Sequence, residues 1–323
     1  MDTYFLHYDQ WLLHYNCSFL NVSQVPLEAR KHPIVGSTLL ILAVILEVLY
    51  LPCLISIHKH AKLSCYNLMR FIGLTDIVVI PINGIFTGVG LIKGWVYCSY
   101  PATIYWIGTH KFLDGWFAVC LSSLILAFNR CVDMYSAELS QKLFGGNRVY
   151  IWQVIPAVYG ILFVWHTQPV LLSSVLSSWF FQPFVGYYDD PVNYVNRPHS
   201  ANNIMMVISL PTMYFIFFVA LLVRYSINKQ TQSWANFDSK QFAIFIQILA
   251  ISSVNVVACV LYAYMQFFSA SPVLIVIATY AWFLVHGLPV IIYLSLNKTI
   301  RRDFIHIIRR RTTAVEQLSQ LKQ

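Results

Sequence analysis

Glu47, Asp76 and His286 are the residues of this chain best placed to do chemistry. Each lies near the middle of a long apolar run, and charge at membrane depth is costly enough to mark a functional position by default. Each is about ten residues from the basic end of its run, roughly 15 Å deep at 1.5 Å per residue. If those runs are neighbours, the three side chains form one Glu–Asp–His cluster. Two carboxyls that close cannot both carry charge cheaply, so the charge is shared with the imidazole or with a cation. Two readings stay open: a protonation switch that responds to helix packing, or a structural hydrogen-bond knot.

A second group of polar residues lies towards the opposite ends of the runs. Lys111 and Asp114 are three apart, with His110 beside them, a spacing that permits a helical pair. His166 and Gln168 reach a similar height, as do Tyr264 and Gln266, and Tyr105, Met206, Tyr280 and Trp282 add apolar or amphipathic surface. Aromatic walls with few polar groups are what a small-molecule pocket requires; interfacial belts and snorkelling side chains are the bland alternative. Enzyme chemistry finds no such support. The chain has no His-Glu-x-x-His and no Gly-x-x-x-x-Gly-Lys loop, which removes the usual zinc and nucleotide motifs. No Lys falls in 273–296, so a retinal Schiff base on the last run is excluded.

The elements that must position these residues are seven apolar stretches, 34–57, 67–92, 100–128, 149–171, 203–223, 242–266 and 273–296. A bilayer core about 30 Å thick needs about 20 helical residues to cross, and each stretch is long enough. Charged residues are 11% of the chain and hydrophobic ones 58%, against about 25% charged in a soluble domain. The predicted fold class is an all-α seven-transmembrane helix bundle forming one domain, with 1–33 outside and a cytoplasmic tail at 297–323. The net charge of +8 does not indicate nucleic acid, because it is segregated. Connections 58–66, 129–148 and 224–241 and the tail hold fifteen Lys and Arg, and the opposite set holds four. Basic residues stay cytoplasmic, which puts the N-terminus outside.

The sequons at Asn16 and Asn21 fall on that outer side, as glycosylation requires, whereas the one at Asn297 falls inside. No basic start followed by an apolar run precedes the first span, so no cleaved signal peptide is expected. Of seven cysteines only Cys17 and Cys98 are extracellular; they either pair as a disulfide or remain two free thiols. Connection 172–202 is dense in aromatics and is either a lid or an interfacial belt. Residues 298–311 carry Ile300, Phe304 and Ile307 at helical spacing among arginines, which predicts an amphipathic helix on the lipid bilayer surface. Prolines 52, 81, 156, 211 and 289 are expected to kink the spans.

Asn67-Leu68 followed by Thr75-Asp76 resembles the second span of rhodopsin-like G-protein-coupled receptors. Asn129-Arg130-Cys131 stands where those receptors carry an acidic-Arg-aromatic triplet, and Tyr293 to Asn297 is similar to the end of their seventh span. The whole chain more closely resembles the nematode serpentine receptors of class T, through Tyr15–Ser18, Cys65–Met69, Tyr97–Pro101, Leu126–Cys131, Ser178–Pro183, Tyr264–Phe268 and Tyr293–Asn297. The resemblance implies a chemosensory receptor in the plasma membrane of a sensory neuron. It would bind an extracellular chemical ligand and signal to a heterotrimeric G protein through Arg130. It also implies a sodium ion near Asp76. Departures are specific. Asn129 replaces the acid that would hold Arg130 inactive, Pro289 and Tyr293 lack the usual Asn and spacing, and the Trp-x-Pro of span 6 is absent. The alternatives are a seven-span ligand-gated channel subunit, or a membrane hydrolase or transporter.

Overall fold

Among the described residues of the computed structural model, seven helices are long and apolar enough to cross a bilayer. Residues 2–114, 116–190, 192, 194–228 and 239–320 are described, without the side chains at 2, 110–114, 221, 224–228, 239–242, 244 and 310–320. Span 1 is Pro33–Lys59. Span 2 runs Ser64–Ile80, then a π-helical turn Pro81–Phe86, then Thr87–Lys93. Span 3 comprises Pro101–Asp114 and Trp116–Tyr135, span 4 Arg148–His166, span 5 Arg197–Asn228, span 6 Ser239–Phe267 and span 7 Pro272–Leu296. Pro52, Pro156, Pro211 and Pro289 lie inside helices, while Pro81 opens the π-helical turn. Span 3 touches spans 2, 4, 5 and 6, and spans 1, 2 and 7 pack on one another.

Several boundaries differ from the predicted ones. Span 3 continues to Tyr135, so Arg130 lies within a helix rather than at its end. Span 4 stops at His166 rather than 171, because the chain after Thr167 turns extended and enters a hairpin. The interfacial helix continues to Gln320 instead of ending near 311. A short helix at Ala137–Phe144, capped by Ser136 through the Leu139 amide, fills a connection that the sequence left irregular. The N-terminal segment is also ordered, with helices at Asp2–Leu6, Tyr8–Tyr15 and Leu27–Arg30.

Connection 172–202 opens on an antiparallel hairpin, β1 Leu171–Ser173 and β2 Ser178–Phe180, with Leu171 opposite Phe180. Its backbone crosses close to Gly108 of span 3, where any Cβ would stand 1.8 Å from the Val170 carbonyl oxygen; only glycine permits that approach. Polar bonds fasten the hairpin to the bundle. Trp179 Nε1 donates to Thr87 Oγ1 at 2.9 Å, Thr279 Oγ1 to Ser178 Oγ at 2.7 Å, and Ser174 Oγ to the Gly90 carbonyl at 3.0 Å. Trp179, Phe181 and Phe184 are buried, which favours a lid over an exposed belt. A Cys17–Cys98 disulfide ties the N-terminal segment to the connection between spans 2 and 3. Tyr97 Oη donates to the Tyr15 carbonyl and Tyr194 Oη to that of His14, both at 3.0 Å. Burial pushes the Tyr15, Tyr97 and Tyr194 phenols above their ordinary value, so these clamps stay neutral.

Candidate functional site

Beneath the lid lies a cavity of about 300 Å³. Its floor is built of rings from four spans: Trp116 of span 3, His199 of span 5, Tyr262 of span 6 and Trp282 of span 7. Trp116 and Trp282 meet edge to face at 5.8 Å, and Tyr262 and Trp282 at 5.5 Å, a geometry that ring quadrupoles favour. Trp179, Phe180 and Phe181 of the lid form the roof, and Gln266 lies at the side. The size and the apolar, aromatic lining match a small-molecule site.

Only part of the predicted ligand set reaches this cavity. Gln266 and Trp282 line it, and Gln266 Oε1 accepts from Ser200 Oγ at 3.2 Å. Tyr264 and Tyr280 are two residues away from ring-bearing wall positions, about 200° around their helices. Tyr264 is therefore turned out to stack on Phe268, and Tyr280 meets Thr38 of span 1. Tyr105 is covered by Tyr4, Trp11 and Tyr15 of the ordered N-terminus. Met206 is fully buried in the core and His166 is exposed at the end of span 4. The His110, Lys111 and Asp114 side chains lie outside the described ones. The sequence does not mark Trp116, His199 and Tyr262, because an apolar run does not reveal which of its rings face a gap.

At mid-depth the expected cluster forms as a pair with a third, unforeseen member. His286 Nδ1 lies 2.8 Å from Asp76 Oδ1, and Tyr50 Oη donates to Asp76 Oδ2 at 2.5 Å. Asp76 and His286 are wholly buried. Glu47 joins neither by a hydrogen bond, and its Oε2 is buried without a partner among the described residues. Tyr50 was legible in principle, since it stands one helical turn from Glu47. Each Asp76 oxygen thus has one partner, Tyr50 or His286. Among the described residues no group of three His, Cys, Asp or Glu could hold a metal ion.

Arg130 is 5% exposed at the cytoplasmic end of span 3. Its Nη2 donates to Asn129 Oδ1 at 2.8 Å and pairs with Asp133 Oδ2 at 3.0 Å. Asn129 Nδ2 donates in turn to Ser64 Oγ of span 2 at 3.2 Å. The acid missing beside Arg130 is thus supplied three residues later, on the same helical face. Asp133 falls in a stretch that reads as a connection, so the sequence does not mark it. Cys131 is buried next to this network. Tyr293 is buried against Tyr50 with ring centroids 6.5 Å apart, and Pro289 sits one turn above it inside span 7. Asn297 closes span 7 and caps the interfacial helix, its Oδ1 accepting from the Thr299 and Ile300 amides at 3.1 Å. That helix docks through Asp303, which accepts from Ser56 Oγ at 3.1 Å, meets His60 Nε2 at 2.9 Å and pairs with Lys59 at 3.5 Å. Burial would raise the Asp303 carboxyl, but these bonds and charges outweigh it and hold it below its ordinary value.

Seven spans around a covered outer cavity define a seven-helix membrane bundle. The family profile described as "Serpentine type 7TM GPCR chemoreceptor Srt" matches residues 2–317. The chain belongs to that family. It is 26% identical over 250 residues to "Serpentine receptor class T-55" of Caenorhabditis elegans, covering 76% of this chain and 66% of that protein, just under two thirds of the relative's length. Its fold is similar to the crystal structure of squid rhodopsin, with a TM-score of 0.64 at 13% identity, covering 90% of this chain and 88% of the other.

Proposed function

We propose that this protein is a chemosensory receptor of the plasma membrane, in a sensory neuron. It binds an extracellular chemical in the cavity under the lid and signals to a heterotrimeric G protein through Arg130. The observation that carries this reading is that one helix serves both ends. Span 3 puts Trp116 in the cavity floor and Arg130 in the cytoplasmic network, fourteen residues or about 21 Å apart. Span 6, packed on span 3, brings Tyr262 to the same cavity. A ligand that prefers one arrangement of spans 3 and 6 shifts the population towards it, and the arrangement that releases Arg130 from Asp133 exposes it to the G protein. The Asp76–His286 pair ties span 2 to span 7 between the two ends and serves as the intramembrane switch. In this reading the exposed Asn16 and Asn21 carry glycans. The test is a chemical screen in heterologous cells expressing the chain with a promiscuous G protein. A hit should raise second messenger in the native chain and not in Arg130→Ala at equal surface expression; a response that survives Arg130→Ala overturns the coupling mechanism.

A further inference from the structure

The cavity wall narrows the chemistry of the ligand, an inference that rests on the cavity being the ligand site. The Trp116 indole is spent, donating to Asn203 Oδ1 at 2.8 Å. Asn203 therefore presents its amide nitrogen to His199 Nδ1, 3.4 Å away. With Nδ1 accepting, His199 carries its proton on Nε2. Tyr262 is only 7% exposed, lines the cavity, and closes no hydrogen bond among the described residues. Ser178 is near enough to bear on it, but the two hydroxyls do not meet in hydrogen-bond geometry. Buried hydroxyls are rarely left unpaired, and one that is marks a place where a partner is missing. Around it the surfaces are the faces and edges of Trp116, Trp282 and the lid's Phe181. No Asp, Glu, Lys or Arg is among the described lining residues, so an ionic ligand would leave water with no counter-ion to meet it.

We infer that the cavity selects a small uncharged molecule with an aromatic or apolar body and a single strong hydrogen-bond acceptor, such as a carbonyl oxygen, that takes the Tyr262 hydroxyl proton. The full chain, purified into lipid nanodiscs without any G protein, tests this. Trp116, Trp179 and Trp282 line the site, so binding is read from tryptophan fluorescence. Four probes of similar shape are titrated: acetophenone, isopropenylbenzene (CH₂ in place of the carbonyl oxygen), benzoate and 1-phenylethylammonium. Acetophenone should bind about three- to tenfold tighter than isopropenylbenzene, the range expected of one neutral hydrogen bond, and both ions at least about tenfold more weakly than acetophenone. Tyr262→Phe should erase the ketone-over-alkene preference, so that the two neutral probes bind alike. The inference is overturned if that preference survives Tyr262→Phe, if the ammonium binds tighter than the ketone as cation–π recognition would have it, or if the folded receptor binds none of the four. A chain that shows the ketone preference but never activates a G protein overturns the coupling mechanism alone. A chain that signals without the preference overturns this inference alone.

Discussion

Replacing Asp133 by Asn should raise ligand-free signalling, because it removes the negative charge that holds Arg130. The pair spans 3.0 Å, with Arg130 buried and the Asp133 side chain 23% exposed. An exposed helical ion pair is worth about 0.3–0.5 kcal/mol, and a charge-assisted bond about 1.5–3 kcal/mol. Partial exposure on one side puts this pair between them, at about 1 kcal/mol. About 1.4 kcal/mol is tenfold in an equilibrium, so losing the pair multiplies the open-to-closed ratio about fivefold. A receptor resting with about 1% of molecules open would rest with about 5%. The assay is basal second messenger in cells with a promiscuous G protein, normalised to surface receptor. Asp133→Asn should stand about fivefold above the native chain, and the double variant with Arg130→Ala should fall to background. An unchanged or lower basal signal at equal surface expression would refute the assignment of Asp133 as the restraint on Arg130.

Three other outcomes follow from the geometry. Asp303 is held below its ordinary value in the folded protein, so its contribution is complete above the normal carboxylate range and disappears as pH falls through the lowered value; Asp303→Asn should cost about 1.5 kcal/mol at neutral pH, and the difference in Tm from the native chain should shrink only in acid. Because both Asp76 oxygens are engaged by Tyr50 and His286, sodium should leave the thermal stability of the native chain unchanged but raise that of His286→Asn, where one oxygen is freed; equal sodium effects on both would show the ion binds elsewhere. Asn16→Gln and Asn21→Gln should each remove one step of endoglycosidase-sensitive gel mobility, whereas Asn297→Gln, buried at the end of span 7, should remove none.

Much of the architecture was legible in the sequence because lipid is an unforgiving solvent. A backbone that must satisfy its own hydrogen bonds forms helices wherever an apolar run is long enough, so seven spans and their orientation follow from hydrophobic length and the placement of Lys and Arg. The Asp76–His286 pair was legible for the same reason: two costly groups at equal depth on neighbouring spans have few ways to be satisfied except by one another. The cavity was much less so. Tyr262 and Tyr264 sit in the same apolar run, yet one is 7% exposed in the wall and the other 44% exposed towards the outside. Composition cannot distinguish them without knowing which face of span 6 meets spans 5 and 7. Tyr105 is covered by rings of an N-terminal segment whose sequence gives no sign of folding over it, and Asp133 lies in a stretch that reads as a connection although span 3 continues through it.

Membrane orientation decides the receptor reading: the cavity must face outward while Arg130 and the interfacial helix face the cytosol. Epitope tags placed before residue 2 and after residue 323, probed with antibody on intact and then permeabilised cells, test it directly. The first tag should be labelled on intact cells and the second only after permeabilisation. The reverse pattern would put the lidded cavity in the cytosol and Arg130 outside, and the receptor account would be wrong.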